Sequence, residues 1–232
     1  ISVVVPMFNE AEVLPIFHQR LRAALAPWAG RLEVIYVDDG SRDASVETVK
    51  ALRLADPSIA LLRLSRNFGK EIALSAGLQV AGGDAVVVID ADLQDPPELI
   101  PSMIEQWQRG IDMVLMRRRE REGESWFKRT SAHVFYRLLN RLGEIEIPED
   151  VGDFRLMSRR VVEALNALPE RQRYMKGLFA WVGFPQVIIV YDRPGRAAGD
   201  VAVAVAPCVE VGDVVDGRTL GTPWSPASNP PP

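Results

Sequence analysis

Cysteine occurs once in the 232 residues, at Cys208, so no intrachain disulfide framework holds this chain together. The only two histidines are His18 and His133, which leaves little for a zinc site. No stretch approaches the roughly 18 uninterrupted apolar residues of a membrane-spanning helix, and the first residues read as a strand without a basic, signal-like start. These absences lead to the expectation of a protein of a reducing, cytoplasmic compartment with no transmembrane helix. Net charge is -4, which excludes nucleic-acid binding by bulk electrostatics. Three fingerprints are also missing. There is no G-x-G-x-x-G for dinucleotides, no G-x-x-x-x-G-K-[ST] for P-loop phosphate transfer (Phe68-Gly69-Lys70-Glu71 is a fragment of it), and no Gly-x-Ser-x-Gly elbow.

What is present is a globular composition, 47% hydrophobic and 25% charged, with regular strand-helix alternation. Strands are expected at 1–6, 32–37, 59–64 and from Ala85. Helices are expected from Val13 to about Pro27, through Val46, Val49, Leu52 and Leu54, and over 71–80. Short connectors between such elements imply a mostly parallel sheet with helices on both faces. Ligands in these sheets bind outside the carboxyl ends of the strands. Four successive ends carry polar clusters: Phe8-Asn9-Glu10, Asp38-Asp39-Gly40-Ser41, Arg66-Asn67, and the group beginning at Asp90. Singly each reads as a turn or cap; together they favour a nucleotide-type site.

The last group is Asp90-Ala-Asp-Leu-Gln-Asp-Pro-Pro-Glu98. If the strand persists, Asp90 and Asp92 project from the same side of its tip. A carboxylate pair there can hold a divalent cation, and Asp95 and Glu98 can cap the next helix. Mg²⁺ or Mn²⁺ prefers oxygen ligands shared between carboxylates and substrate phosphates, so transfer from a nucleoside-diphosphate donor is the implied chemistry.

Further on, 112–116 reads as a strand leading into the charged loop Arg117-Arg-Arg-Glu-Arg-Glu-Gly123, then a helix with Arg129, His133, Arg137 and Arg141 at four-residue steps. That face is either solvated or receives an anionic acceptor or anionic headgroups. Residues 150–157 read as a loop entering a short strand, with Ser158 capping a helix through Leu168. Residues 174–181 read as helix and 184–191 as strand. From Asp200 the texture becomes low in complexity, and residues 200–232 read as an atypical, loosely attached tail.

Val3-Val-Val-Pro-Met-Phe-Asn-Glu10, Val37-Asp-Asp-Gly-Ser-Arg-Asp43 and the Asp90 string together resemble family 2 glycosyltransferases of the polyprenyl-phosphate sugar transferase type. Gly123-Glu-Ser-Trp-Phe-Lys-Arg129 and Gly152-Asp-Phe-Arg-Leu156 resemble the bacterial undecaprenyl-phosphate glucosyltransferase branch more than the dolichyl-phosphate mannose synthases. The resemblance covers residues 1–199. It implies a GT-A fold, a nucleoside-diphosphate sugar donor, and inverting, metal-dependent transfer to a polyprenyl phosphate at the cytoplasmic face of the membrane. The donor it favours is UDP-glucose, with GDP-mannose the alternative. Carried over by position, Pro6, Phe8, Glu10 and Asp38 surround base and ribose, and Asp39 supports their loop. Asp90 sits by ribose and metal, Asp92 is the principal metal ligand and Gln94 an auxiliary one. Arg118 and Arg129 hold the acceptor phosphate, Asp153 matches the proposed base, and Arg196 closes on the donor diphosphate.

Two departures from the family stand out. Met116 occupies a position that is usually small, and the sequence after Gly199 lacks the usual Ser/Thr-Lys-aromatic and amphipathic continuation. The second departure keeps open a catalytically defective, nucleotide-binding homologue. A haloacid-dehalogenase-type phosphatase has Thr or Val where Gln94 stands, and the basic opening loop of nucleotidyltransferases is absent.

Overall fold

The computed structural model describes residues 1–118, 151–170, 175–191 and 204–208. Among the described residues eight strands form one sheet: β1 Ser2–Met7, β2 Glu33–Asp38, β3 Ile59–Arg63, β4 Ala85–Val88, β5 Met113–Arg118, β6 Val151–Ser158, β7 Gln186–Tyr191 and β8 Ala204–Cys208. Their order is β3-β2-β1-β4-β6-β5-β7-β8. The first four are mutually parallel, β5 pairs parallel with β7, and β6 and β8 run against their neighbours. The helices described are α1 Leu14–Ala24, α2 Ser45–Ala55, α3 Lys70–Val80, α4 Ile100–Gln108, α5 Arg159–Ala167 and α6 Met175–Trp181.

The β-branched runs of β1, β2 and β4 are buried on both faces, as strands covered by helices on each side must be. Alternate residues enter opposite layers. Val3, Val5, Tyr36 and Val87 pack with Phe17 and Leu21 of α1 and Met103 of α4. Val4, Ile35, Val37 and Val86 pack with Leu74 and Leu78 of α3 and Val161 and Leu165 of α5. Gly77 is why α3 lies so close to the sheet. A Cβ at that position would collide with the Val4 side chain and reach Val37 at 3.0 Å.

Several expectations shift. The first helix ends at Ala24, followed by a 3-10 segment Ala26–Arg31. Leu54 is 91% exposed. It lies two positions beyond Leu52, about 200° further around a helix of 3.6 residues per turn, off the apolar stripe. β5 continues through Arg117 and Arg118, because both pair with β7. Residues 151–153, read as loop, belong to β6, an eight-residue strand between β4 and β5. Ser158 stands at the N-cap of α5, but its hydroxyl donates to Asp112 Oδ1 at 2.7 Å instead of capping. Ala204–Cys208, in the stretch read as a tail, pairs antiparallel with β7.

The reversed direction of β6 brings a distant segment of chain to the edge where the parallel strands end. Val88 of β4 pairs with Arg155, and Ala85 with Ser158. The beginning of β6, with Gly152 and Asp153, therefore arrives at the same sheet edge as the carboxyl ends of β1, β2 and β4.

Candidate active site

The loops after β1 and β2 are laced together by short polar side chains. Asn9, at φ 58, accepts the Arg42 amide at 2.8 Å and donates its own amide to Ser41 Oγ at 3.0 Å. The Glu10 amide donates to Ser45 Oγ at 2.8 Å, and the Ala11 amide to Asp43 Oδ2 at 3.1 Å. Gly40, at φ +75, lies where a Cβ would stand 2.7 Å from the backbone of Arg66 and Asn67, so only glycine lets the third loop close on the second. Asp39 completes the clamp. Its two carboxylate oxygens accept the amides of Phe68 at 2.7 Å and Gly69 at 2.9 Å, fixing the entry to α3.

These loops enclose an open cleft of about 200 Å³ lined by Pro6, Met7, Phe8, Glu10, Asp39, Lys70, Asp90, Ala91 and Asp92. Six residues expected from the sequence thus share one cavity: Pro6, Phe8, Glu10, Asp39, Asp90 and Asp92. Asp38 lies fully buried at the end of β2. Its Oδ1 accepts the Ser41 amide at 2.9 Å, while Oδ2 has no hydrogen-bond partner among the described residues and lies 3.7 Å from Arg63 Nε. Phe8 and Phe68 are each about two-fifths exposed, and the Arg66 guanidinium lies 4.2 Å over the Phe68 ring.

Asp90 and Asp92 reach the cleft by a different route from the one expected. β4 stops at Val88, and Leu93 adopts φ 61. Asp92 Oδ1 accepts the Gln94 amide at 2.9 Å, an Asx-type turn that replaces the extended tip. The cap reading for Asp95 also fails. Its Oδ1 accepts Arg118 Nη2 at 2.8 Å and the Tyr191 hydroxyl at 2.5 Å, and no side chain caps the 3-10 turn Pro97–Leu99. Glu98 instead forms a two-bond ion pair with Arg20, 2.8 Å in each contact. Gln94 Oε1 faces Arg118 Nη1 at 3.3 Å. The hydrogen bond to Asp95 is the chief reason that the Arg118 guanidinium is held more firmly protonated than usual.

Lys70 links two strands. Its Nζ lies 2.7 Å from Asp90 Oδ2 and 2.5 Å from Asp153 Oδ2. Burial pushes the Asp90 carboxyl up; Lys70 opposes this, and Asp153 and Asp92 add to it. Glu10 is also pushed up, first by burial and then by Asp92, Asp43 and Asp90. The cleft thus holds more negative charge than Lys70 offsets.

Behind Asp153 lies Arg155, buried, which donates to the Gly152 carbonyl at 2.8 Å and stacks 3.8 Å from the Phe179 ring centroid. Burial lowers its pKa to about 10, so it remains a cation at neutral pH.

The donor set suits Mg²⁺ or Mn²⁺. Asp90 and Asp92 offer carboxylate oxygens, and Asp92 Oδ2 has no partner among the described residues. Among those residues no three His, Cys, Asp or Glu side chains cluster closely enough to hold a metal by themselves. A divalent ion here would take its remaining ligands from substrate phosphates and water.

Sequence reasoning missed Lys70 and Tyr191. The first was legible in principle, because the residues after β3 lie at a carboxyl strand end of a parallel sheet. Tyr191 had no local signal, since it reaches Asp95 across 96 residues of chain. Arg129 and Arg196 lie outside the described residues.

This architecture is that of GT-A glycosyltransferases. A mannosyltransferase from Pyrobaculum calidifontis, solved with GDP-Man and Mn²⁺, superposes with TM-score 0.59 at 22% identity over 84% of this chain and 57% of its own. Glucosyl-3-phosphoglycerate synthase from Mycobacterium tuberculosis, solved with Mn²⁺, UDP and glucosyl-3-phosphoglycerate, gives 0.56 at 22% identity over 85% and 72%. The family model for Glycosyl transferase family 2 matches residues 2–165, and the chain belongs to that family. Among its relatives are an uncharacterized glycosyltransferase of Synechocystis, 49% identical over 86% of this chain and 63% of its own length, and the bactoprenol glucosyl transferase of Shigella phage SfV, 49% identical over 86% and 65%. A prophage bactoprenol glucosyl transferase homolog of Escherichia coli is 48% identical over 86% and 65%. The chain therefore spans just under two thirds of the length of these relatives.

Proposed function

We propose that this chain carries the catalytic domain of a hexosyltransferase. In this reading it moves glucose from UDP-glucose to a polyprenyl phosphate with inversion at the anomeric carbon, in a metal-dependent reaction. The observation that carries the reading is the convergence of Glu10, Asp39, Lys70, Asp90 and Asp92 on one cleft at the carboxyl ends of β1, β2 and β4. The relatives named bactoprenol glucosyl transferase support the sugar and the acceptor class.

In this reaction an acceptor phosphate oxygen bonds to the anomeric carbon as the bond from that carbon to the donor's β-phosphate oxygen breaks, and the nucleoside diphosphate leaves. Pro6, Phe8 and Glu10 hold the base and ribose, while Asp38, buried behind the cleft, and Asp39 fix the loops against them. Asp92 and Asp90 would hold the divalent cation, and Gln94 would join them as auxiliary ligand on leaving Arg118; the bound cation would supply charge neutralisation at the diphosphate. Arg118, with Arg129, receives the acceptor phosphate, and Arg196 closes on the donor.

Asp153 serves to orient the reactants. A phosphate monoester has a second pKa near ~6 and is largely a dianion at neutral pH, so the nucleophile needs little deprotonation. Because the acceptor is a lipid, the enzyme works at a membrane surface, on the cytoplasmic face. No helix among the described residues is long and apolar enough to cross a membrane.

A thermal-shift screen of UDP- and GDP-sugars with and without Mn²⁺, followed by transfer to polyprenyl phosphate, tests the proposal. UDP-glucose should raise the melting temperature only with Mn²⁺ and give lipid-linked glucose. Stabilisation by GDP-mannose alone would replace the donor assignment. Metal-dependent nucleotide binding without transfer would favour a defective homologue.

A further inference from the structure

Lys70 occupies an unusual position for a cation in a candidate metal site. It is the first residue of α3, and Asp39 fixes its approach by accepting the two preceding amides. From there its ammonium bridges Asp90 Oδ2 at 2.7 Å and Asp153 Oδ2 at 2.5 Å. Asp90 follows β4 and Asp153 belongs to β6, so one side chain joins two strands at the cleft. An ammonium only donates and cannot ligate a metal. A divalent ion on Asp90 would therefore compete for the same carboxylate and be repelled at short range by the ammonium.

We propose that Lys70 makes divalent-cation binding conditional on the donor diphosphate. Without nucleotide, Lys70 supplies the positive charge that Asp90 requires, and the free ion binds poorly. The diphosphate brings negative oxygens that offer the ammonium a new partner and complete the ion's ligand set. Lys70 then turns from Asp90 toward phosphate while remaining within reach of Asp153. Ion and donor consequently enter together. The inference rests on the metal-site reading of Asp90 and Asp92.

The test is titration of Mn²⁺ into the nucleotide-free chain, followed by electron paramagnetic resonance, and repeated with saturating UDP. Lys70→Met and Lys70→Gln remove the charge, Lys70→Arg keeps it, and thermal melting verifies folding of each. Either removal variant should bind Mn²⁺ at least about tenfold more tightly than wild type without nucleotide. Lys70→Arg should stay near wild type, and UDP should strengthen Mn²⁺ binding far more in wild type than in Lys70→Met. Unchanged or weaker nucleotide-free affinity in a folded removal variant would overturn the proposal. Asp92→Asn separates this failure from that of the site. If Asp92→Asn abolishes Mn²⁺ binding in the presence of UDP while Lys70→Met changes nothing, only the role of Lys70 is wrong. If Asp92→Asn leaves that binding intact, the metal site is misassigned and the inference falls with it.

Discussion

Asp95 and Arg118 are joined by a 2.8 Å ion pair, and the same carboxylate oxygen accepts the Tyr191 hydroxyl at 2.5 Å. Tyr191 in turn accepts Arg118 Nε at 3.1 Å. Asp95 follows Asp90 and Asp92, the residues proposed to hold the metal, by only a few positions, so the arginine proposed for the acceptor phosphate is aimed by the loop that carries Asp92. Tyr191→Phe removes one bond to each partner in a buried, charge-assisted cluster. The KM for polyprenyl phosphate should rise roughly tenfold, the equivalent of about 1.5 kcal/mol for a hydrogen bond to a charged group. Donor affinity, read by thermal shift with UDP-glucose and Mn²⁺, should hold. A loss of donor affinity with an unchanged acceptor KM would detach Arg118 from the acceptor.

Asp92→Asn keeps the volume and the turn to the Gln94 amide, because an amide oxygen accepts that bond as a carboxylate does. What it removes is the negative charge offered to the cation. Metal-dependent turnover should fall by roughly 10²–10³-fold, the range seen when charge stabilisation in a transition state is deleted, with no change in melting temperature of the ligand-free chain. Wild-type activity would sink the metal assignment.

The parallel half of the sheet was legible because Val3 to Val5, Val34 to Val37 and Ala85 to Val88 are continuous apolar runs bounded by polar ends. The cleft was legible for the same reason, since strand ends in such sheets converge in space. What escaped was long-range pairing. Asp153 looked like a loop residue because the short run Phe154-Arg155-Leu156-Met157 carries a buried arginine, and nothing local tells that β6 is inserted antiparallel between β4 and β5. Asp95 looked like a helix cap because Pro follows it. Arg118 and Tyr191, both distant in sequence, give its carboxylate another task.

Asp153→Asn tests whether the carboxylate acts by orientation or as a base. The substitution leaves a side chain of equal size but weakens the contact with Lys70, which then has Asp90 as its remaining anionic partner. If Asp153 orients, kcat should drop while the pH profile of kcat keeps the wild-type shape, since a base would impose its own ionisation on the rate. Loss of an acidic limb in the variant would restore the base. An unchanged kcat with saturating acceptor would remove Asp153 from the chemistry.

Beneath α1 the core holds a titratable pair. His18 is buried, with Nδ1 3.0 Å from the Tyr36 hydroxyl and Nε2 3.3 Å from Asp56 Oδ2. Burial lowers its pKa below the ordinary 6.5; Asp56 pulls it back up, and Arg22 adds to the lowering. A histidine depressed in the folded state binds fewer protons there than in the unfolded chain. Its contribution is therefore complete above pH 6.5 and is lost as pH falls from there through the folded-state value. Asp56 adds a second, more acidic step. Although burial pushes its carboxyl up, Ser58, Arg22 and His18 hold it below the ordinary range, so its stabilisation disappears only below about pH 4. Melting temperature measured from pH 8 to pH 5 should fall more steeply for wild type than for His18→Gln, which cannot titrate in that window. Parallel curves for the two proteins would show that His18 keeps its ordinary pKa in the folded state.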